Sequence, residues 1–177
     1  DMHDEAIEML THLSMFFRTA LSKGEDVISL FDEVLHTKSY LEIQQIRYSD
    51  ILEYSIDLPE EFEMISLPKL TLQPLVENAL YHGVKEKRGQ SKITITFEDA
   101  GDDIVIQVLD DGIGMTEERL QEVKEGLKQN NNVGFGLAAV QGRLVLYFGA
   151  GYGIDIWSKY GEGTRIRVRI PKKFNFL

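Results

Sequence analysis

The chain has 177 residues, 43% hydrophobic and 27% charged, with no cysteine and a formal net charge of −10. That length and balance fit one globular domain with a proper core plus a smaller helical piece. The missing cysteine excludes disulfides, thiolate catalysis and cysteine-ligated zinc. The acidic balance argues against nucleic acid as a partner, and no apolar run reaches the roughly 20 residues of a membrane span.

The chain opens at Asp1 inside an acidic, helical pattern unlike a signal peptide, which reads as part of a longer protein. Over residues 3–21, Ala6, Leu10, Leu13, Phe17 and Ala20 recur at three-four spacing beside Met9 and Phe16, which predicts an amphipathic helix. Ser22-Lys23-Gly24 ends it, with Gly24 suited to a left-handed cap. A second helix is predicted from about Val27 to Tyr48, with Phe31, Val34, Leu41 and Tyr48 toward one side, so the two helices read as a hairpin. After Asp50 the pattern changes. Leu52–Leu58 alternates as a strand, Pro59-Glu60-Glu61 turns the chain, and a helix starts near Thr71 as N-cap with Pro74 in its first turn. Lys92–Glu98 and Ile104–Leu109 read as strands joined by the turn-rich Asp99–Asp103. Thr116–Lys128 reads as a charged helix or mobile segment running into Gln129-Asn130-Asn131-Asn132, and Gly136–Phe148 as a helix. Ile154–Ser158 and Arg165–Ile170 form a last hairpin, with Ile166, Val168 and Ile170 facing in and Arg165, Arg167 and Arg169 facing out. The predicted class is α+β, a mixed sheet with helices on one face, preceded by an N-terminal helical segment.

Four motifs carry the candidate chemistry. On the helix after Thr71, Leu72, Leu75, Val76, Ala79 and Leu80 make the buried stripe, while Glu77, Asn78, Tyr81, His82 and Lys85 recur on another face. As a site, that face is a phosphate and Mg²⁺ platform. Asn78 offers a neutral oxygen to a hard cation, and Lys85 or Lys87 offers charge to phosphate. In Asp110-Asp111-Gly112-Ile113-Gly114, an apolar strand ends in an acid followed by alternate glycines. Glycine permits tight turning and close approach of a flat ring, and an ionised Asp110 accepts from an amino group such as that of adenine. Gly134-Phe135-Gly136-Leu137 matches the start of a dinucleotide fingerprint, with Asp155 near the ribose position. However, an Asn-rich loop precedes it where that fold needs a strand, so a glycine-lined helix start facing phosphate is the better reading. Gly161-Glu162-Gly163-Thr164 reads either as an ordinary glycine turn or as the place where the Thr164 hydroxyl completes an adenine subsite with Asp110.

In order and on these elements, the motifs resemble the asparagine box, the two glycine boxes and the terminal Gly-Thr of the GHKL superfamily, which joins gyrase, the large heat-shock chaperone ATPases, histidine kinases and MutL in the Bergerat ATP-binding fold. Residues 39–50 (SYLEIQQIRYSD), 67–84 (LPKLTLQPLVENALYHGV) and 143–156 (RLVLYFGAGYGIDI) narrow the resemblance to sensor histidine kinases of the LytS/YesM type, over essentially the whole chain. The resemblance implies an ATP-binding catalytic domain over 51–177, after a remnant of dimerisation and phosphotransfer helices and their connector over 1–50. It implies that Asn78 holds Mg²⁺, that Asp110 reads adenine, and that Gly112, Gly114, Gly134, Gly136 and Leu137 shape an ATP pocket with Tyr81, His82, Lys85 and Thr164. Residues 115–133 correspond to a mobile ATP lid.

The same resemblance implies γ-phosphoryl transfer to a His outside this chain and relay to a response regulator. It also implies a homodimer in the full-length protein and a place on the cytoplasmic side of the cell membrane. His3, His12 and His36 lie outside the family's Pro-His-Phe context for a phosphoacceptor and read as surface or core residues. Tyr81 stands where many relatives have Lys or Arg, Asn132 where many have glycine, and Ala139 where the usual residue is Asn. The superfamily's hydrolases carry a Glu four residues before the Asn, which here is Pro74, so transfer to a protein side chain is favoured over hydrolysis. The alternatives are a non-catalytic nucleotide-sensing or dimerisation module and a serine kinase of the anti-sigma-factor type.

Overall fold

The structure is a computed structural model and describes residues 2–20, 25–87, 89–129 and 135–174. The expected cap at Gly24, the asparagines at 130–132 and Gly134 lie outside the described residues.

The first helix, α1 (Met2–Ala20), packs along α2 (Leu30–Arg47) as the expected hairpin. Phe16 stacks on the His36 ring with centroids 4.5 Å apart. The second helix starts later than its apolar spacing predicts. Val27–Ser29 is a strand, β1, paired antiparallel with β3 (Ser66–Pro68). A β-branched pair followed by a capping serine explains the change: the Ser29 hydroxyl accepts from the Asp32 N–H at 3.1 Å, so the helix begins at Leu30. The β1–β3 ladder ties residues on either side of position 50 together.

The main sheet has five strands in the order β2-β4-β5-β7-β6: β2 (Leu52–Asp57), β4 (Ser91–Ala100), β5 (Asp103–Asp110), β6 (Gly153–Lys159) and β7 (Gly163–Pro171). The β2–β4 pair is parallel and the other pairs are antiparallel, giving the predicted α+β class. The strands β4 and β5 run closer together than the expected Asp99–Asp103 turn. Ala100 pairs with Asp103, leaving Gly101 at φ +79° and Asp102 in a tight turn. Alternation sends Ile104, Ile106 and Val108 of β5 and Ile166, Val168 and Ile170 of β7 into the core, all at most 1% exposed. Outside, Arg167 bonds Glu98 at 2.9 Å and the Arg169 Nε bonds Asp103 at 2.6 Å.

Over the inner face lie α3 (Leu72–Asn78), a π-helical turn (Ala79–Val84), the single turn α4 (Lys85–Lys87), α5 (Glu117–Gln129) and α6 (Phe135–Phe148). The predicted stripe Leu72, Leu75, Val76, Ala79 and Leu80 is buried throughout. Two details depart from expectation. The π turn inserts a residue into the helical phase, which rotates everything after Val84 relative to a continuous α-helix. Thr71 is not the cap: its backbone is helical and its hydroxyl donates to the Pro68 carbonyl at 2.6 Å. The buried carboxylate of Glu33 on α2 caps the helix instead, accepting from the Leu72 N–H at 2.7 Å.

Helix α5, charged as predicted, is held down by Val123 and Leu127. On α6, Gln141 accepts from the Ile154 N–H at 2.7 Å and pins that helix to the edge strand. Truncating the fully buried Leu80 to Ala in the π turn should lower unfolding free energy by about 2–5 kcal/mol, read by urea denaturation.

Candidate nucleotide-binding site

The β5 pattern that buries Ile104, Ile106 and Val108 carries the next inward position to Asp110, which is 2% exposed. In register beside it, Ile93 lies on β4, Thr164 on β7 and Ser158 on β6, so the row that closes the core ends in polar groups. The hydroxyls of Ser158 and Thr164 lie 2.9 Å apart. Ser158 Oγ also donates to the Gly163 carbonyl and accepts from the Met115 N–H, both at 2.9 Å, tying the strand row to the loop after β5. Asp110 Oδ1 accepts from the Gly112 N–H at 2.9 Å.

Burial pushes the Asp110 carboxyl from its ordinary 3.8 up to about 6, against the pull of the Gly112 and Thr164 backbone bonds. Adjacent Asp111 adds to the rise and Lys87 opposes it.

Gly83 is what lets the helix lie on this carboxylate. A Cβ there would sit 2.3 Å from Asp110 Oδ1, and a Cβ on Gly112 would sit 2.2 Å from the Gly83 carbonyl carbon. The Gly83 carbonyl accepts from the Ile113 N–H at 3.1 Å, so helix and glycine loop are bonded as well as packed. Gly114, at φ +69°, leaves no space for a side chain beside the Lys159 carbonyl.

Two adjoining cavities open over this floor. One, of about 280 Å³, is lined by Asn78, His82, Gly114, Met115, Arg119 and Leu137 among others. The second, of about 210 Å³, is lined by Pro74, Glu77, Asn78, Tyr81, His82, Gly136 and Leu137. The structure thus gathers Asn78, Tyr81, His82, Gly114, Gly136 and Leu137 around these two cavities. Asp110, Gly112 and Thr164 line neither: Asp110 and Gly112 pack against Gly83, and Thr164 lines a separate cavity with Ser158.

Lys85 lines neither cavity. Past the π turn its ammonium lies 4.6 Å from the centre of the Tyr81 ring and 5.1 Å from that of Tyr48. Lys87 donates to the Asp111 carbonyl at 2.7 Å. Among the described residues, the only Lys or Arg lining either cavity is Arg119 of α5, which the sequence reading did not single out. Its bond to Glu122, 2.9 Å between two exposed side chains, is a weak surface pair. Ser158 was also missed, although its alternation with Ile154 and Ile156 points inward. A larger cavity of about 340 Å³ between α5 and the edge strand β6 holds none of the predicted site residues.

A ¹³C titration of the Asp110 carboxyl should show a midpoint near 6. Because the folded chain holds that proton where the unfolded chain has lost it, this group's contribution to stability should fall as pH rises between 3.8 and about 6. Gly83→Ala should destabilise by about 2 kcal/mol or more through the clash with Asp110, whereas Gly89→Ala, with open space around it, should stay within about 0.5 kcal/mol by the same denaturation assay.

Residues 67–173 match the family model described as histidine kinase-, DNA gyrase B-, and HSP90-like ATPase, and residues 1–52 match a histidine kinase model. The chain is 31% identical over 170 residues to the sensor histidine kinase BtsS of Escherichia coli, covering 95% of this chain and 28% of that protein. It is 32% identical over 164 residues to the sensor histidine kinase YesM of Bacillus subtilis, covering 93% and 27%. The chain therefore spans under a third of the length of these relatives. Among solved structures, the catalytic domain of the histidine kinase ThkA superposes with a TM-score of 0.59 at 19% identity, covering 82% of this chain and 94% of that one. The histidine kinase domain of a blue-light activated kinase from Erythrobacter litoralis gives 0.58 at 16% identity, covering 95% and 79%. The chain belongs to the histidine kinase-, DNA gyrase B-, and HSP90-like ATPase family.

Proposed function

We propose that this domain binds Mg²⁺-ATP in the cavities over Asp110 and serves the intact kinase by transferring the γ-phosphoryl group to a His outside this chain, for relay to an Asp of a response regulator. The observation that carries the reading is the placement of Asp110 opposite Thr164 and against Gly83, the residue after His82, which lines both cavities with Asn78. In this reading the ionised Asp110 accepts from the adenine amino group and Thr164 completes that subsite. Gly114 and Leu137 border the base and ribose, while Gly136, Tyr81 and His82 border the phosphates. Arg119 supplies the positive charge that Lys85 and Lys87, both engaged elsewhere, do not.

The donor set fits Mg²⁺. Asn78 and Glu77 present hard oxygens side by side at one cavity wall, as suits a cation that completes its shell with phosphate and water. Mg²⁺ held there would neutralise phosphate charge. Pro74 lines the same wall and packs near Gly136, so an apolar ring stands where the family's hydrolases have their acid. This supports transfer over hydrolysis. No helix among the described residues is long and apolar enough to cross a membrane. We place the domain on the cytoplasmic side of the membrane within a homodimeric, membrane-anchored protein, by analogy with its relatives.

Calorimetry with ATP tests the proposal. Saturable binding is expected, strengthened by Mg²⁺ and weakened about tenfold or more in Asp110→Asn. Affinity should fall as pH is lowered through about 6 in the parent, more steeply than in Asp110→Asn, because the carboxylate form accepts the hydrogen bond of the adenine amino group. Asn78→Ala should abolish the Mg²⁺-dependent gain while sparing binding without the metal. An intact kinase that binds ATP yet never forms phosphohistidine would favour a nucleotide-sensing module instead.

A further inference from the structure

We infer that Glu33 of α2 is a positioning residue for the nucleotide site: it holds the start of the asparagine helix, so the place of Asn78 in the cavity is set from the helical segment that precedes the domain. The inference rests on the reading of Asn78 given above.

Glu33 is fully buried, and both its oxygens are used. Oε1 accepts from the Leu72 N–H at 2.7 Å and Oε2 from the Leu70 N–H at 2.9 Å. A local Ser or Asp at the cap would satisfy the same N–H groups without taking a carboxylate out of water. The first turn of α3 has no acid, and the Thr71 hydroxyl is spent on Pro68. The cap therefore comes from a separate helix, 39 residues away in sequence, at the expense of desolvation.

The residue that Glu33 grips is strained. Leu70, at φ +59°, is the only non-glycine with positive φ among the described residues. Its N–H is held by Glu33, and its carbonyl accepts from Arg143 Nη2 at 2.5 Å. Arg143 lies on α6, the helix that brings Gly136 and Leu137 to the cavity. One backbone residue thus joins α2, α3 and α6. From Leu72 to Asn78 is under two helical turns, about 9 Å, too short for a shift at the start to dissipate before Asn78.

A second link runs parallel. His36, one turn along α2 from Glu33, lies 2.7 Å through Nε2 from Gln73 Oε1, and Gln73 Nε2 donates to Glu77 at 2.8 Å. With the Gln73 amide so oriented, His36 Nε2 donates to it, and Nδ1 lies 2.8 Å from the Thr19 hydroxyl of α1. A continuous chain of hydrogen bonds therefore connects α1 to Glu77, beside Asn78 on the cavity wall.

Glu33→Gln keeps the volume but replaces one of the two accepting oxygens by an N–H₂ that faces a backbone donor. We expect the Mg²⁺-dependent gain in ADP affinity to fall about tenfold, with metal-free ADP binding, governed by Asp110 on the sheet, unchanged within about twofold. Amide hydrogen exchange should accelerate over residues 72–84 and not in β5 or β7. A role in global stability alone would weaken both modes of binding equally and speed exchange everywhere, and that result overturns the inference. So does an unchanged Mg²⁺ gain in the folded variant. Should Glu33→Gln fail to fold, Glu33→Asp, which keeps the charge on a shorter arm, must show the same selective loss. If the parent chain binds no nucleotide, the functional reading fails, and the exchange pattern alone decides: faster exchange confined to 72–84 supports positioning by Glu33, and unchanged exchange refutes it.

Discussion

Alternation along β5 carries Ile104, Ile106 and Val108 into the core and, with the same period, carries Asp110 in behind them. A carboxylate on the buried face of a sheet must be compensated, and the surrounding structure supplies the means. The Gly112 N–H bonds it, and Ser158 and Thr164 continue its row as hydroxyls. The compensation is partial, which is why the carboxyl sits well above its ordinary range. A desolvated carboxylate gains from a ligand that donates a further hydrogen bond to it, and the proposed adenine subsite is that gain.

The helix over Asp110 accommodates the buried acid in turn. Gly83 removes the one side chain that would strike the carboxylate, and the π turn that contains it sets the phase at which Tyr81 and His82 face the cavity and Lys85 does not. The result is a wall with Glu77, Asn78, Tyr81 and His82 but no lysine. Charge for a polyphosphate then has to come from across the gap, and Arg119 on α5 is the described group that stands there. This helix lies in the stretch that the family resemblance equates with the lid, so in the proposed function phosphate binding and lid closure draw on the same residue.

The asparagine helix has few local supports. It is a seven-residue α-helix with a helical Thr71 at its cap position, and its three buried apolar residues, Leu72, Leu75 and Val76, fix its rotation better than its position along its own axis. Glu33 fixes that axial position at the N-terminus, and the Gly83–Ile113 bond fixes it at the far end. Leu70 tolerates its left-handed backbone because both its polar groups are held from outside.

The strands, the apolar stripe of α3 and the inward course of Ile166, Val168 and Ile170 were legible in the sequence because they follow from the period of neighbouring residues along one element. Asp110 and Thr164 were legible from their motifs, the acid before alternate glycines and the threonine after a glycine turn, and the structure puts both at inward positions of their strands. Sequence spacing failed where a long-range partner outweighed a local preference. Val27–Ser29 continues a helical pattern but pairs with Ser66–Pro68, and Thr71 has a capping side chain but is displaced by Glu33. Lys85 falls at helical spacing with Asn78, yet the intervening π turn sends it to Tyr48, a residue remote in sequence. The sequence by itself determined which residues alternate inward, where glycine must stand, and so the kind of site. Only the tertiary structure decided which charges reach the cavity and what holds the asparagine helix, because those depend on hydrogen bonds and ring contacts between segments tens of residues apart, whose approach no local period encodes.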